Sequence, residues 1–317
     1  MKTIAITGGC GFVGLALAES LLARGHVPHL LDLAPTPLAA HPSLCGAVYH
    51  RCDVTCPGEI EAALAHNRPD IVVHTAALTP SPQMEREQAA RVIEVNLTGT
   101  SNMLQAVQAS GIRRLIYLSS AAIYGSSPRA GATLPEDAEL RPNSLYGVTK
   151  EASERLAAMI AQGNDIKVSI LRLGPVFGPW EMQGSSRPGL SAQGQMLALH
   201  KAGKVPLLPS EMVTDWVYSR DVGAAIAALI EAPPPEGSEI FNLGAGHVSS
   251  PLDWAAGMGF KGEVVSPEAA TITARVSDGR SPLDISRLAA RIGYAGARGL
   301  EAACRDHQRW LAEVAAL

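Results

Sequence analysis

No stretch of this chain is apolar for long enough to cross a bilayer, which takes about 20 consecutive apolar residues, so no helical membrane span is expected. Runs of basic residues are missing as well, and the net charge is -4, which argues against nucleic acid and acidic membranes as partners. Cysteine is scarce. Cys10, Cys45, Cys52, Cys56 and Cys304 are odd in number and irregularly spaced, which excludes a disulfide framework in a chain of 317 residues. Cys52 and Cys56 lie close to His50, but no second ligand pair accompanies them, so no metal site is expected. Internal repeats and low-complexity tails are absent. The segment Met1 to Thr7 reads as a strand entering a glycine turn and lacks the apolar core and cleavage site of a signal peptide; a cytoplasmic location is expected.

What is present is apolar material for a large core, 47% hydrophobic residues against 18% charged. Strand-like runs at Thr3–Thr7, Pro28–Leu31, Ala47–Arg51, Ile71–His74, Leu115–Ser119 and Lys167–Leu171 alternate with helical patterns. The latter are Phe12–Arg24, Glu59–His66, Met84–Ala109 and Tyr146–Ala161. This alternation predicts an α/β fold, a doubly wound parallel sheet of the Rossmann type covered on both faces. After Arg172 the pattern changes. Residues 174–214 are rich in Gly and Pro, with one helical pattern at Ala192–Lys201, and a strand-turn-helix pattern returns over Trp216–Glu231. We expect a dinucleotide-binding domain over 1–173 with a return segment at about 215–232, and a smaller, discontinuous substrate-binding lobe built mainly from 174–317.

The first strand runs into Thr7-Gly8-Gly9-Cys10-Gly11-Phe12-Val13-Gly14 and a helix. Gly8 permits a tight turn, Gly11 lets backbone approach a pyrophosphate, and Gly14 lets helix and strand pack closely. Phe12 and Val13 open the helix, whose N-terminus favours phosphate. Asp32, ending the second strand, can accept both ribose hydroxyls of NAD and repels the additional phosphate of NADP; Leu33 beside it supplies no cation. Asp53, with Val54, follows the third strand and is placed to reach the adenine. Ala76 and Ala77, after His74-Thr75, are small where backbone runs beside a cofactor, and His74 reads as a packed structural residue.

Tyr146 and Lys150 are four residues apart and share one helix face. A free phenol titrates near pH 10, and making it a proton acceptor near neutrality takes roughly 4 kcal/mol, which a close ammonium and the charge of the nicotinamide can supply. Ser120 lies at the carboxyl end of the fifth strand, where ligands bind in doubly wound sheets, and can hold a substrate oxygen beside the tyrosine.

With these motifs, together with Asn96, Tyr146-Gly147-Val148-Thr149-Lys150 and the segment Arg172 to Pro179, nearly the whole chain resembles the extended short-chain dehydrogenase/reductase superfamily, in its NAD-dependent epimerase/dehydratase branch. The resemblance implies that Ser120 and Tyr146 engage the reacting oxygen of a small-molecule substrate. It also implies that Lys150 binds the nicotinamide ribose and tunes Tyr146, and that Asn96 belongs to the cofactor site. A homodimer through the helices at Met84–Ala109 and Tyr146–Ala161 is implied too; Val92, Val95, Met103 and Val107 supply apolar surface for it.

The departures concern substrate. Dehydratases of this branch carry Asp-Glu where Ala121 and Ala122 stand, so dehydration is not expected. Nucleotide-sugar epimerases have Asn at the place of Pro175 and Arg at that of Thr214, two groups that meet the sugar nucleotide. Arg275 reads equally as a phosphate contact or a surface residue. The expected reaction is NAD-dependent oxidation of a secondary hydroxyl on a sugar, sugar acid or similar polar molecule. The alternative is a nucleotide-sugar 4-epimerase with tightly bound NAD. A non-catalytic NAD sensor would need the glycine loop but neither Tyr146 nor Lys150.

Overall fold

The computed structural model describes residues 1–36, 40–127, 133–163, 165–182, 189–274 and 281–316. Six strands come from residues 1–173: β1 (Thr3–Thr7), β2 (Val27–Asp32), β3 (Val48–Arg51), β4 (Ile71–His74), β5 (Arg114–Ser120) and β6 (Lys167–Leu173). With Ser238–Leu243 they form one sheet in the order Ser238–Leu243, β6, β5, β4, β1, β2, β3. Every pairing is parallel. This is the Rossmann-type doubly wound sheet. β4 is buried at all four residues and β5 at six of its seven, which is why these strands read as unbroken apolar runs.

The chain winds outward from β1 through β2 to β3, then crosses back to place β4 on the other side of β1. The carboxyl ends of β1 and β4 therefore meet at the point where strand order reverses, the usual place for a ligand crevice. The helix Phe12–Ala23 (α1) is apolar around most of its circumference because it is covered twice, by the sheet and by the returning helix Ser219–Glu231. Gly223 makes that second contact possible, since a Cβ there would lie 2.3 Å from the Ala16 carbonyl oxygen.

Beyond β6 the chain builds two-residue ladders, Val176–Phe177 with Val217–Tyr218 and Leu207–Leu208 with Glu263–Val264. A separate core of Phe177, Met196, Leu208, Trp216, Trp254 and Phe260 lies here. The return to the main sheet runs past the helix at 219–231 to include Ser238–Leu243 as an edge strand beside β6. No helix among the described residues is long and apolar enough to cross a membrane.

The pattern expected to give one helix over Met84–Ala109 is broken twice. Ser81 caps a short helix, Pro82–Glu87, by accepting the Met84 N–H, and Gln88 leaves helical geometry (φ −130°, ψ 33°). A second helix starts at Ala89 and widens into a π turn at Glu94–Thr98 before the regular helix Gly99–Ser110. Val92, Val95, Met103 and Val107, read from sequence as surplus apolar surface, are all buried in the monomer core. The exposed large apolar side chains are instead Ile93 here and Val148 and Met159 on the helix Leu145–Gly163.

Candidate active site

The glycine loop leaves β1 at the crevice. Gly8 adopts φ +63°, and a Cβ on it would sit 2.8 Å from the Ala76 Cα, so backbone from β1 and β4 comes together without side chains. At Gly14 a Cβ would lie 2.4 Å from the Gly8 oxygen. Gly11 is the N-cap of α1 and carries no side chain to cap it, and the first turn, with Phe12 and Val13, holds no acidic residue. A floor of bare backbone at a helix N-terminus is the cradle a pyrophosphate needs.

The Asp32 carboxylate accepts the Cys10 N–H at 2.9 Å and the Leu33 N–H at 2.8 Å, so it braces the glycine loop from below. Burial pushes its pKa up, against those two donors. No cation pairs with it among the described residues. Asp53 Oδ1 accepts both the N–H and the hydroxyl of Thr55, at 2.8 and 2.7 Å. Burial alone would raise the Asp53 pKa, but the Thr55 bonds and the charges of Arg91 and Arg51 more than offset it, so it lies below the usual carboxylate value. The neighbouring Val54 carbonyl accepts from Asn102, which pins this turn to the helix Gly99–Ser110. These residues could hold a dinucleotide along the crevice, with adenosine toward Asp32 and Asp53.

Asn96 is buried, and its side chain is committed to the protein. Its oxygen accepts the Leu78 N–H at 2.7 Å, and its amide donates to the Leu78 carbonyl at 3.0 Å and to Thr149 Oγ at 3.3 Å. It thus holds the turn that follows Ala76 and Ala77 against the helix Leu145–Gly163. It stands in the π turn Glu94–Thr98.

That helix carries Tyr146 and Lys150. Gly147 lets it abut the turn after β5, for a Cβ there would be 2.6 Å from the Ala122 oxygen. The contact brings Ser120 to the same end of the crevice; Ser120 is part-exposed and its hydroxyl accepts the Ala122 N–H at 3.1 Å. Lys150 is buried, donates to the Leu118 carbonyl at 2.7 Å, and sits 5.0 Å from the centre of the Tyr117 ring and 5.9 Å from that of Tyr146. Burial lowers its pKa to about 8, with Glu154 opposing the shift. An ammonium this poorly solvated, near the half-buried ring of Tyr146, can stabilise a phenolate or hold a hydroxyl.

Several supporting residues were not singled out from sequence. Glu85 accepts the Tyr146 N–H at 3.2 Å. Glu154, one turn beyond Lys150, pairs with Arg172 at 2.9 Å with both groups buried; the i,i+4 spacing from Lys150 was the available signal. Asp215 accepts the Ala245 and Leu283 N–H groups at 2.5 and 2.7 Å and so ties three segments distant in sequence together. Thr214 beside it is fully buried and paired through its backbone with Ser249. The Pro175 carbonyl accepts the Val217 N–H. Arg275 lies outside the described residues. Among those residues, no group of three or more His, Cys, Asp or Glu side chains could hold a metal ion.

The comparisons with known proteins agree with this architecture. Residues 4–244 match the model of the NAD dependent epimerase/dehydratase family. The chain is 30% identical to dTDP-L-rhamnose 4-epimerase of Burkholderia thailandensis, over 98% of this chain and 95% of that protein. Over 48% of this chain and 41% of the other, it is 38% identical to 3 beta-hydroxysteroid dehydrogenase/Delta 5-->4-isomerase of Mycobacterium tuberculosis. The structure of UDP-glucose 4-epimerase from Thermus thermophilus in complex with NAD superposes with a TM-score of 0.79 at 28% identity, covering 97% of this chain and 99% of that one. A glycine cradle, a crevice at the strand-order reversal and a match over most of the chain lead to one assignment: this protein is an NAD-dependent enzyme of the epimerase/dehydratase family, within the extended short-chain dehydrogenases/reductases.

Proposed function

We propose that this enzyme is a 4-epimerase of a nucleotide-activated sugar and uses Tyr146, Lys150 and Ser120 as its reacting centre. The observation that carries the reading is the likeness to a dTDP-L-rhamnose 4-epimerase across 98% of the chain, with the Tyr146–Lys150 helix and the Ser120 turn meeting at one end of the crevice. It reverses the order expected from sequence, in which net dehydrogenation came first.

Residues 1–173 and the return segment at about 215–232 hold the dinucleotide, with Gly8, Gly11, Phe12, Val13 and Gly14 under the pyrophosphate. Asp32 takes the adenosine ribose, Asp53 and Val54 the adenine, and Ala76 and Ala77 the nicotinamide side. NAD, when bound, supplies the acceptor and later the donor of hydride. The lobe over 174–317 binds the sugar nucleotide, with Arg275 as its phosphate contact. Ser120 donates to the sugar oxygen and holds it against Tyr146. Tyr146 takes the hydroxyl proton as the carbonyl forms and returns it once the sugar has presented its other face. Lys150 stabilises the phenolate and holds the nicotinamide ribose. Ala121 and Ala122 offer no carboxylate for loss of water, which separates this chemistry from dehydration.

A second reading, net oxidation of a secondary hydroxyl on a sugar or sugar acid, is favoured by Pro175 and by buried Thr214, neither of which brings a cation to a diphosphate. The two readings separate in one assay, epimer formation against NADH accumulation. The same proposal makes the enzyme a cytoplasmic homodimer that buries Ile93, Val148 and Met159, and light scattering at micromolar concentration decides its mass.

A further inference from the structure

A line of polar groups outside the proposed proton transfer runs beneath the dinucleotide loop. Thr7 ends β1, His74 ends β4, Thr100 and Asn96 stand on the segment 94–110, and Thr149 lies on the Tyr146 helix. His74 is buried with Nδ1 2.7 Å from Thr7 Oγ and Nε2 3.0 Å from Thr100 Oγ.

The direction of each bond follows from its partners. Thr100 Oγ lies 2.7 Å from the Asn96 carbonyl oxygen, which can only accept, so the one hydroxyl proton of Thr100 points there. His74 Nε2 must then donate to Thr100. In a neutral ring the other nitrogen is bare, so Nδ1 accepts the Thr7 hydroxyl proton. Thr7 Oγ in turn faces the Ala76 N–H at 3.4 Å. Beyond Asn96 the line continues, because its side-chain amide donates to Thr149 Oγ, which donates to the Tyr146 carbonyl at 2.9 Å.

Four elements face the ring: β1 through Thr7, the helix Gly99–Ser110 through Thr100, β5 through Tyr117, stacked at 5.8 Å, and the Tyr146 helix through Lys150. None supplies an anion. A second proton on His74 would place two cations in one buried pocket and remove the acceptor for Thr7.

We infer that His74 is a positioning residue: a neutral imidazole locked as the Nε2–H tautomer, which carries one hydrogen-bond direction from the end of β1 to Asn96 and so sets where the Tyr146–Lys150 helix stands against the dinucleotide loop. Burial, with Lys150 nearby, pushes the His74 pKa down to about 3, which agrees with a ring that stays neutral. Only the kinetic consequence rests on the proposed Tyr146 chemistry; the tautomer is a property of the fold.

The test has two arms. In the first, the full-length protein is labelled with 15N-histidine, and the His74 signals are assigned by comparison with His74→Gln. A protonated Nε2 and an unprotonated Nδ1, unchanged from about pH 8 to about pH 5 while exposed histidines titrate, is the expected result. An Nδ1–H ring, or a doubly protonated one, overturns the inference. In the second arm, His74→Asn keeps an acceptor near Nδ1, His74→Gln keeps a donor near Nε2, and His74→Leu keeps neither. His74→Leu should lose about 10²-fold in kcat with KM changed far less, and the two amides should fall between it and the native enzyme. Native turnover in folded His74→Leu, or in both amides should the leucine variant not fold, overturns it. Absence of turnover in the native enzyme on any nucleotide sugar would instead count against the proposed function, and the NMR arm would still decide the tautomer.

Discussion

The Glu85 carboxylate accepts the main-chain N–H of Tyr146 at 3.2 Å, so a residue from a short neighbouring helix caps the first turn of the helix that carries the phenol. Ser144, immediately before the helix, takes the Gly147 N–H at 3.1 Å. A helix N-terminus leaves such donors unpaired, and a carboxylate satisfies one of them while meeting the positive end of the helix dipole. Glu85→Ala should cost about 1 kcal/mol of stability, the usual scale for a lost cap, and lower kcat by more than that loss explains. Glu85→Gln keeps an acceptor and should recover most of kcat. Equal losses in the two variants, measured by thermal melts and steady-state kinetics, would show that the cap is not what matters.

Tyr146→Phe should leave NAD binding nearly intact and lower turnover by at least about 10²-fold, the scale for losing a positioned acid/base. Lys150→Ala should damage both, because its ammonium is assigned to the ribose and to the phenolate. Fluorescence titration with NAD beside single-turnover kinetics separates the two effects; normal turnover in the phenylalanine variant would remove Tyr146 from the mechanism.

Asp32 faces the crevice without a cation partner among the described residues, so NADP would bring its extra phosphate against an uncompensated carboxylate. NAD should bind far more tightly than NADP to protein stripped of nucleotide. Equal affinities by calorimetry would overturn the assignment of Asp32 to the ribose.

Acid should destabilise the fold well before the carboxylates titrate. Burial lowers the pKa of His74 to about 3 and of His307 to about 4, and burial with the mutual repulsion of their cluster lowers His29; His50 follows, with burial first and His66 second. These imidazoles take a proton near pH 6.5 once unfolded. Their stabilising contribution is therefore complete above that pH and is lost as pH falls toward the folded values. Urea midpoints should drop steadily from about pH 7 to about pH 4.5, and a flat profile across that range would contradict the burial of these rings as neutral groups.

Much of the fold was legible because parallel strands buried on both faces read as apolar runs, as Ile71–His74 and Leu115–Ser119 do, and because Gly8, Gly11 and Gly14 stand where backbone must pass closely. The positions of Asp32 and Ser120 at strand ends and of Tyr146 and Lys150 on one helix were legible too; their roles belong to the proposal. What stayed hidden depends on geometry without a sequence period. The break at Gln88 and the π turn at Glu94–Thr98 leave the apolar pattern of Met84–Ala109 nearly unchanged, and the burial of Asn96, Val92 and Val95 could not be read from that pattern. Glu85 reaches Tyr146 across 61 positions, and Ser238–Leu243 joins the sheet only after a long excursion, so neither contact has a local signature. Thr214 could be read as lacking a charge but not as fully buried and paired with Ser249, 35 positions away.

Epimerisation at a nucleotide sugar is tested most directly by a panel of dTDP- and UDP-hexoses incubated with the native enzyme. Each reaction is followed by chromatography for the C4 epimer and by absorbance for NADH. At least one nucleotide sugar should reach an equilibrium of two epimers with no net NADH. Accumulation of NADH with an oxidised product from sugars lacking a nucleotide, and no epimer from any nucleotide sugar, would contradict it.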